Sequence, residues 1–274
     1  MTAQDFEIVR RLLKEKTAIV LEPGKEYLVE NRLAPLVQEM HLGSLAELVA
    51  QLRAGAGNEL QSKVIEAMVT TESLFFRDHH PFEALRKVVI PELIERRRSA
   101  RSLNIWCAAS STGQEPYSIA ILLKEHFPEL TGWRITLLAT DISRQVLARA
   151  SEGRYNQIEV NRGLPAALLL KYFEQQGTHW QLKANIRAMV CFQEINLARP
   201  WPALPVMDLI LIRNVMIYFD VETKKTILGK LTRLLQPDGY LLLGGAETTF
   251  NLDDSYRRVE PLKSGLYQLV ERPA

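Results

Sequence analysis

From Leu103 onward the chain alternates apolar runs with amphipathic stretches, and this alternation restricts the fold more than any other feature. "LNIWCAA", "RITLLATD", "MDLILIRN" and "GYLLLGGAE" read as strands, while "EPYSIAILLKEHF", "SRQVLARASEG" and "ETKKTILGKLTRLL" carry the spacing of helix faces. Strands separated by helices of this length imply right-handed crossovers and a mostly parallel sheet. The expectation for residues 103–274 is therefore a doubly wound, Rossmann-like α/β domain. At its end "VEPLKSGLYQLVER" reads as a closing strand entered from a turn, which suits an antiparallel edge pair.

The first 70 residues have a different texture. In "DFEIVRRLLKEK" the residues Phe6, Val9, Leu12 and Leu13 fall on one helix face, and "EPGKEYLVENRLAPLVQEM", "SLAELVAQL" and "GNELQSKVIEAMVT" repeat the pattern after turn signals. Residues 1–70 are expected to form a small all-helical domain. Residues 71–102 are expected to be a linker that also serves the site. Within it, "TTESLFFRDHHPFEAL" places two phenylalanines and Arg77 where a linker should be polar, which suits a hydrophobic plug between domains. Between Ile158 and Asn196 the α/β rhythm breaks. "AALLLKYFEQQ" reads as a helix and "THWQLKANIRAMVCFQEINL" as strand, polar break and strand, so a β-hairpin insertion is expected at about 158–195.

With 47% hydrophobic residues among 274, the chain can bury a sizeable core. A formal net charge of +2 gives no bulk reason to bind nucleic acid or a membrane surface. Cys107 and Cys191 lie far apart in apolar runs and read as reduced, buried thiols. His79 and His80 are adjacent and lack a Cys/His/Asp cluster, so no metal site is expected. The acids in "MTAQDFEIVRRLLKEK" and the lack of any apolar run of ~18 residues lead to an expected cytoplasmic location.

Ligands of parallel sheets gather beyond the carboxyl ends of the strands. There "AASSTGQE" offers small residues, Gly113 and the start of a helix, so a ligand can approach the backbone. A dinucleotide fingerprint needs three glycines, and only Gly113 is present; Glu115 would repel a pyrophosphate yet attract an ammonium or sulfonium. Asp141 ends the next strand, 28 residues after Gly113, where an acid can accept hydrogen bonds from both hydroxyls of a ribose. A strand-end Asp also commonly caps the following helix. Together these residues point to a nucleoside bearing positive charge and no phosphate, which describes S-adenosylmethionine.

"SLFFRD", "AASSTGQEPYSIA", "ATDIS", "RNVMIYF" and "LLQPDGYLLLGGAE" resemble, in order and spacing, the chemotaxis receptor glutamate methyltransferases, the CheR family, over nearly the whole chain. The resemblance implies a class I methyltransferase sheet and methyl transfer from S-adenosylmethionine to glutamates of bacterial chemoreceptors, leaving S-adenosylhomocysteine. It places cofactor contacts at Thr71, Ser73, Arg77, Glu115, Asp141, Asn196, Leu197, Arg213 and Asn214. An Asn is common in the family where Thr71 stands, and a hydroxyl cannot make both an amide's donor and acceptor bonds.

An ionised glutamate needs no general base, so positioning carries the chemistry. Arg77 is the candidate clamp, because a guanidinium grips a carboxylate through two parallel bonds, and Tyr218 is the second catalytic candidate. The alternative for Arg77 is a local pair with Asp78 or a helix end. Some relatives bind a receptor's C-terminal pentapeptide as an extra strand on the hairpin; here the loop looks too short, so recognition of the receptor's helical bundle without that tether is expected. A monomer is expected, and a regulatory protein partner is left open. Two rival readings are a methyltransferase of another substrate on the same fold and a non-catalytic signalling adaptor that binds S-adenosylmethionine.

Overall fold

The computed structural model describes residues 1–55, 57–259 and 264–270. Its contacts divide the chain into two compact units: Met1–Thr70 with Leu197–Pro200 and Tyr218–Thr223, and the remainder from Thr71 onward.

The first unit is built on α1 (Ala3–Thr17), α2 (Glu26–Glu39), α3 (Leu45–Arg53) and α4 (Asn58–Met68). Thr2 and Asp5 form a reciprocal capping box at the start of α1, and Ser44 caps α3 by accepting from the Glu47 N–H. The apolar stripe of each helix supplies the core, with Val9, Leu13, Val29, Leu33, Leu48 and Val64 buried.

In the second unit α5 (His79–Ala84), a π-helical turn (Leu85–Val89) and α6 (Ile90–Arg96) follow without a break, so much of the expected linker is helix. The π turn precedes Pro91, which has no N–H for the regular ladder. The strands β1 (Ser102–Ala108) and β2 (Arg134–Asp141) are connected through α7 (Gln114–His126), and α8 (Arg144–Glu152) follows β2. Next come β3 (Arg154–Asn156), α9 (Gln157–Asn161), α10 (Ala166–Tyr172), β4 (Phe173–Gln176), β5 (His179–Leu182), α11 (Ala184–Arg187) and β6 (Val190–Glu194). The chain continues through β7 (Met207–Ile212), α12 (Val221–Leu234), β8 (Leu235–Leu243), β9 (Tyr256–Arg258) and β10 (Leu266–Leu269).

Seven strands form one sheet in the order β6-β2-β1-β7-β8-β10-β9. The first five are parallel, and β10 is antiparallel to both β8 and β9, so the sheet is doubly wound with an antiparallel edge. The turn expected ahead of the closing strand, at 260–263, lies outside the described residues. Strand order reverses between β1 and β7, which makes the carboxyl ends of these neighbours the place for a ligand.

The insertion differs from the sequence expectation. α10 stops at Tyr172, and Phe173–Gln176 forms the first hairpin strand, paired with β5 across the two residues Gly177 and Thr178. Gly177 has φ +60° while Thr178 is not in the left-handed region, which fits the tight turns that follow strand twist. β3 completes a separate three-stranded sheet, whereas Val190–Glu194 pairs with β2 in the main sheet. Cys107 is buried, but Cys191 is exposed, because β6 is the sheet's edge. Phe75 is no plug between domains: it is fully buried within the second unit, edge-on to Tyr155 (5.0 Å between centroids) and Phe173 (5.7 Å).

Candidate active site

The loop after β1 turns at Ala109 and Ser111, both in the left-handed region, and enters α7 through Gly113 at φ +91°. Three further non-glycine residues with positive φ, Phe76, Asp78 and Asn214, lie on the segments 71–78 and 213–216. Strained backbone of this kind, at about 1–3 kcal/mol per residue, persists where surrounding contacts over-determine it. Here the contacts are polar and specific.

Asp141, at the carboxyl end of β2, accepts from the Ser111 N–H (2.9 Å) through Oδ2 and from the Ser143 N–H (3.1 Å) through Oδ1. Ser143, not Asp141, caps α8. Burial raises the Asp141 carboxyl above the usual range, and the backbone bonds from Ser143 and Ser111 oppose that shift. The Ile142 N–H also acts on this carboxylate, and since a carboxylate offers about four acceptor positions, capacity for a further donor remains. The Ser111 hydroxyl donates to the Thr71 carbonyl (2.7 Å), which ties the 71–78 segment to the same turn. The Ile195 N–H donates to the Asp141 carbonyl (3.0 Å), bringing Asn196 to the neighbouring strand end.

Arg213 follows β7 with its side chain buried, only 1% exposed. Nη1 donates to Glu115 Oε2 (2.7 Å), and Nη2 donates to Asp78 Oδ2 (3.0 Å) and to the Arg77 carbonyl (3.0 Å). Phe82 lies under the guanidinium at 5.9 Å. Among the described residues, Arg213 Nε and the buried Ser110 hydroxyl have no hydrogen-bond partner. Glu115 is thus half of an ion pair, not the bare carboxylate expected from sequence, and its Oε1 has no hydrogen bond among the described residues. Asp78, the proposed local partner of Arg77, is taken by Arg213. The Arg77 guanidinium makes no hydrogen bond or ion pair among the described residues; its charge acts on Glu72, whose carboxyl is lowered first by a bond from Arg162.

The structure therefore gathers Thr71, Arg77, Glu115, Asp141, Asn196, Arg213 and Asn214 at the carboxyl edge of the second unit. Ser73 lies on the same segment, half-buried, with no side-chain hydrogen bond among the described residues. Leu197 and Tyr218 belong with the first unit. Sequence reasoning named Ser111 only as a small turn residue and Asp78 only as a partner for Arg77, and it missed their bonds to Asp141, Thr71 and Arg213, which depend on long-range pairing. Among the described residues no cluster suited to a metal ion occurs, and no helix is long and apolar enough to cross a membrane.

These groups fit a ligand with a diol and a cationic amine. Asp141 has acceptor capacity for hydroxyls, and Glu115 retains an oxygen for an ammonium. Residues 71–263 match the family described as CheR methyltransferase, SAM binding domain, and residues 4–69 match CheR methyltransferase, all-alpha domain. Chemotaxis protein methyltransferase 1 of Pseudomonas aeruginosa is 40% identical over 260 residues, covering 93% of this chain and 94% of that protein. Chemotaxis protein methyltransferase Cher2 of Pseudomonas putida is 38% identical over 268 residues, covering 96% and 97%. A chemotaxis protein methyltransferase of Vibrio parahaemolyticus is 36% identical over 269 residues, covering 97% of each. With both segments matched, the chain belongs to the CheR family of S-adenosylmethionine-dependent chemotaxis methyltransferases, whose reaction esterifies glutamate side chains.

Proposed function

We propose that this chain carries out the family's reaction on chemoreceptor glutamates with Arg77 as the clamp on the substrate carboxylate. One observation carries the assignment: Arg77 is held at its backbone by Arg213 while its guanidinium is uncommitted among the described residues. S-adenosylmethionine, when bound, supplies an electrophilic methyl group. Asp141 holds the ribose hydroxyls through its remaining acceptor positions, and Glu115, steadied by Arg213, takes the amine. Thr71, Ser73, Asn196, Arg213 and Asn214 complete the cofactor's surroundings within the second unit, and Leu197 is assigned by the family resemblance alone. The substrate carboxylate is already ionised near neutral pH, so no base is required. Arg77 fixes its approach through two parallel hydrogen bonds, and orientation of this kind contributes about 7–11 kcal/mol in favourable cases. Phe76 and Phe82, stacked edge-on at 5.2 Å beside this segment, limit water there. Tyr218 is the second catalytic candidate.

The experiment is mass spectrometry of a chemoreceptor cytoplasmic domain incubated with the enzyme and S-adenosylmethionine. Glutamyl methyl esters with wild type, and a severe loss with Arg77→Lys, support the assignment. Methylation of nucleic acid instead, or cofactor binding without turnover, would favour the rival readings.

Receptor recognition through the helical bundle, without a C-terminal tether, belongs to the same proposal. The Gly177–Thr178 turn leaves two residues between paired strands, too few to enclose a peptide's aromatic and carboxylate groups. Backbone pairing alone must also offset the ordering of an incoming strand. Titration with an acidic–aromatic pentapeptide should show no micromolar binding; such binding, or dependence of methylation on the receptor tail, would contradict it. The proposal is completed by a cytoplasmic monomer.

A further inference from the structure

Glu247 lies in the loop after β8, three residues beyond Gly244. Its carboxylate gathers four backbone N–H groups. Oε2 accepts from Gly244 (2.7 Å) and Asn214 (2.8 Å), and Oε1 accepts from Val215 (2.9 Å) and Met216 (2.7 Å). Four donors fill the roughly four acceptor positions of a carboxylate, so Glu247 has no capacity left for a ligand and acts only through the backbone it holds.

Three consecutive N–H groups pointing at one anion make a nest, a shape that needs a residue in the left-handed region. Asn214 supplies it at φ +58°. A second observation is Gly244, where an added Cβ would lie 2.7 Å from Glu247 Oε2, 2.8 Å from the Asn214 nitrogen and 2.9 Å from Asn214 Nδ2. The loops after β7 and β8 are thus drawn together with no room for a side chain at that point. Arg213 immediately precedes the nest and connects it to Glu115, Asp78 and the Arg77 carbonyl.

We infer that Glu247 is a positioning residue for methyl transfer: it is the built-in anion that folds residues 213–216 into the shape presenting Arg213 and Asn214. The inference rests on the functional reading above. Glu247→Gln replaces an acceptor oxygen with an amide donor facing N–H groups, and so breaks the nest with little change in volume.

The test uses the full chain, with melting temperature, amide hydrogen exchange, calorimetry with S-adenosylmethionine, and turnover on a receptor cytoplasmic domain. Glu247→Gln should remain folded and lose exchange protection at Asn214, Val215 and Met216, while Leu209–Leu211 keep theirs. With two charge-assisted bonds lost, cofactor Kd should rise about tenfold or more and kcat should fall, with receptor KM little changed. Gly244→Ala, which leaves the carboxylate intact, should shift Kd in the same direction. A folded Glu247→Gln with wild-type Kd and kcat, or a lower melting temperature whose folded fraction binds and turns over as wild type, would overturn the inference. If Glu247→Gln does not fold, Glu247→Asp, which keeps the charge but falls a methylene short, is judged by the same criteria. Wild type with a protected nest but no receptor methylation would defeat the functional reading while leaving the clasp intact.

Discussion

Two arginines of the α/β unit each sit between two carboxylates, at opposite ends of the sheet. Arg97 donates from Nε to Asp208 (2.6 Å) and from Nη1 and Nη2 to Asp238 (2.8 and 2.5 Å), while the other oxygen of Asp208 accepts from the Asn104 N–H (2.7 Å). Asp238 lies in the excursion at 236–239 by which β8 departs from the register of β7. Bonds from Arg97 hold the Asp238 carboxyl below its usual range, and the pairing raises Arg97 in turn. Arg213 is more deeply buried, yet its Nε has no partner among the described residues, and it spends one donor on a carbonyl. Arg77, beside it, leaves its guanidinium uncommitted there. The completed cluster fastens strands, whereas the incomplete one leaves polar capacity that the proposed function gives to a ligand, and on that proposal the degree of satisfaction separates the two roles where residue type does not.

The largest effect that could break this contrast is on stability. Arg97→Met leaves the buried Asp208 without its cation, and removal of one partner from such a pair costs about 3–5 kcal/mol. Denaturant unfolding should show that loss, while the folded fraction keeps wild-type cofactor affinity. Arg77→Lys should do the reverse. Turnover should fall on the order of a hundredfold through misplacement of the carboxylate, with less effect on cofactor Kd and none on the unfolding midpoint. Asp141→Ala should weaken cofactor binding by about 1.5–3 kcal/mol, read by calorimetry, because it removes a charged acceptor from paired hydroxyls. An unchanged Kd would make Asp141 only a brace for Ser111 and Ser143. The smallest effect is with pH. Burial raises the folded Asp141 pKa, so the folded chain holds this proton at higher pH than the unfolded chain. Its contribution to stability consequently falls as pH rises from the unfolded to the folded pKa. Cofactor affinity should move oppositely, weakening as pH drops through the folded value, and calorimetry on Asp141→Asn should lack that dependence.

Periodicity made most of the architecture legible, because each helix stripe and each buried strand writes its own repeat. Val190–Glu194 was misplaced for a physical reason: its alternation fits a hairpin edge and a sheet edge equally, and only pairing with β2 decides. Phe173–Gln176 was hidden because "AALLLKYFEQQ" has helical spacing up to the residue where β5 captures the chain. In the site, Asp141 and Glu115 were visible as acids beside a glycine turn. The partnership of Glu115 with Arg213, 98 positions away, and the clasp at Glu247 were not, since no local pattern encodes which distant N–H or guanidinium a carboxylate will meet.

The most direct measurement is calorimetric titration of S-adenosylmethionine into Arg213→Met, with turnover on a receptor cytoplasmic domain normalised to folded protein. The substitution removes the guanidinium that joins Glu115, Asp78 and the Arg77 carbonyl. The variant should fold, its Kd should rise at least about tenfold, equivalent to one charge-assisted hydrogen bond, and its turnover should be lost. Wild-type affinity and turnover in that folded variant would contradict this role of Arg213.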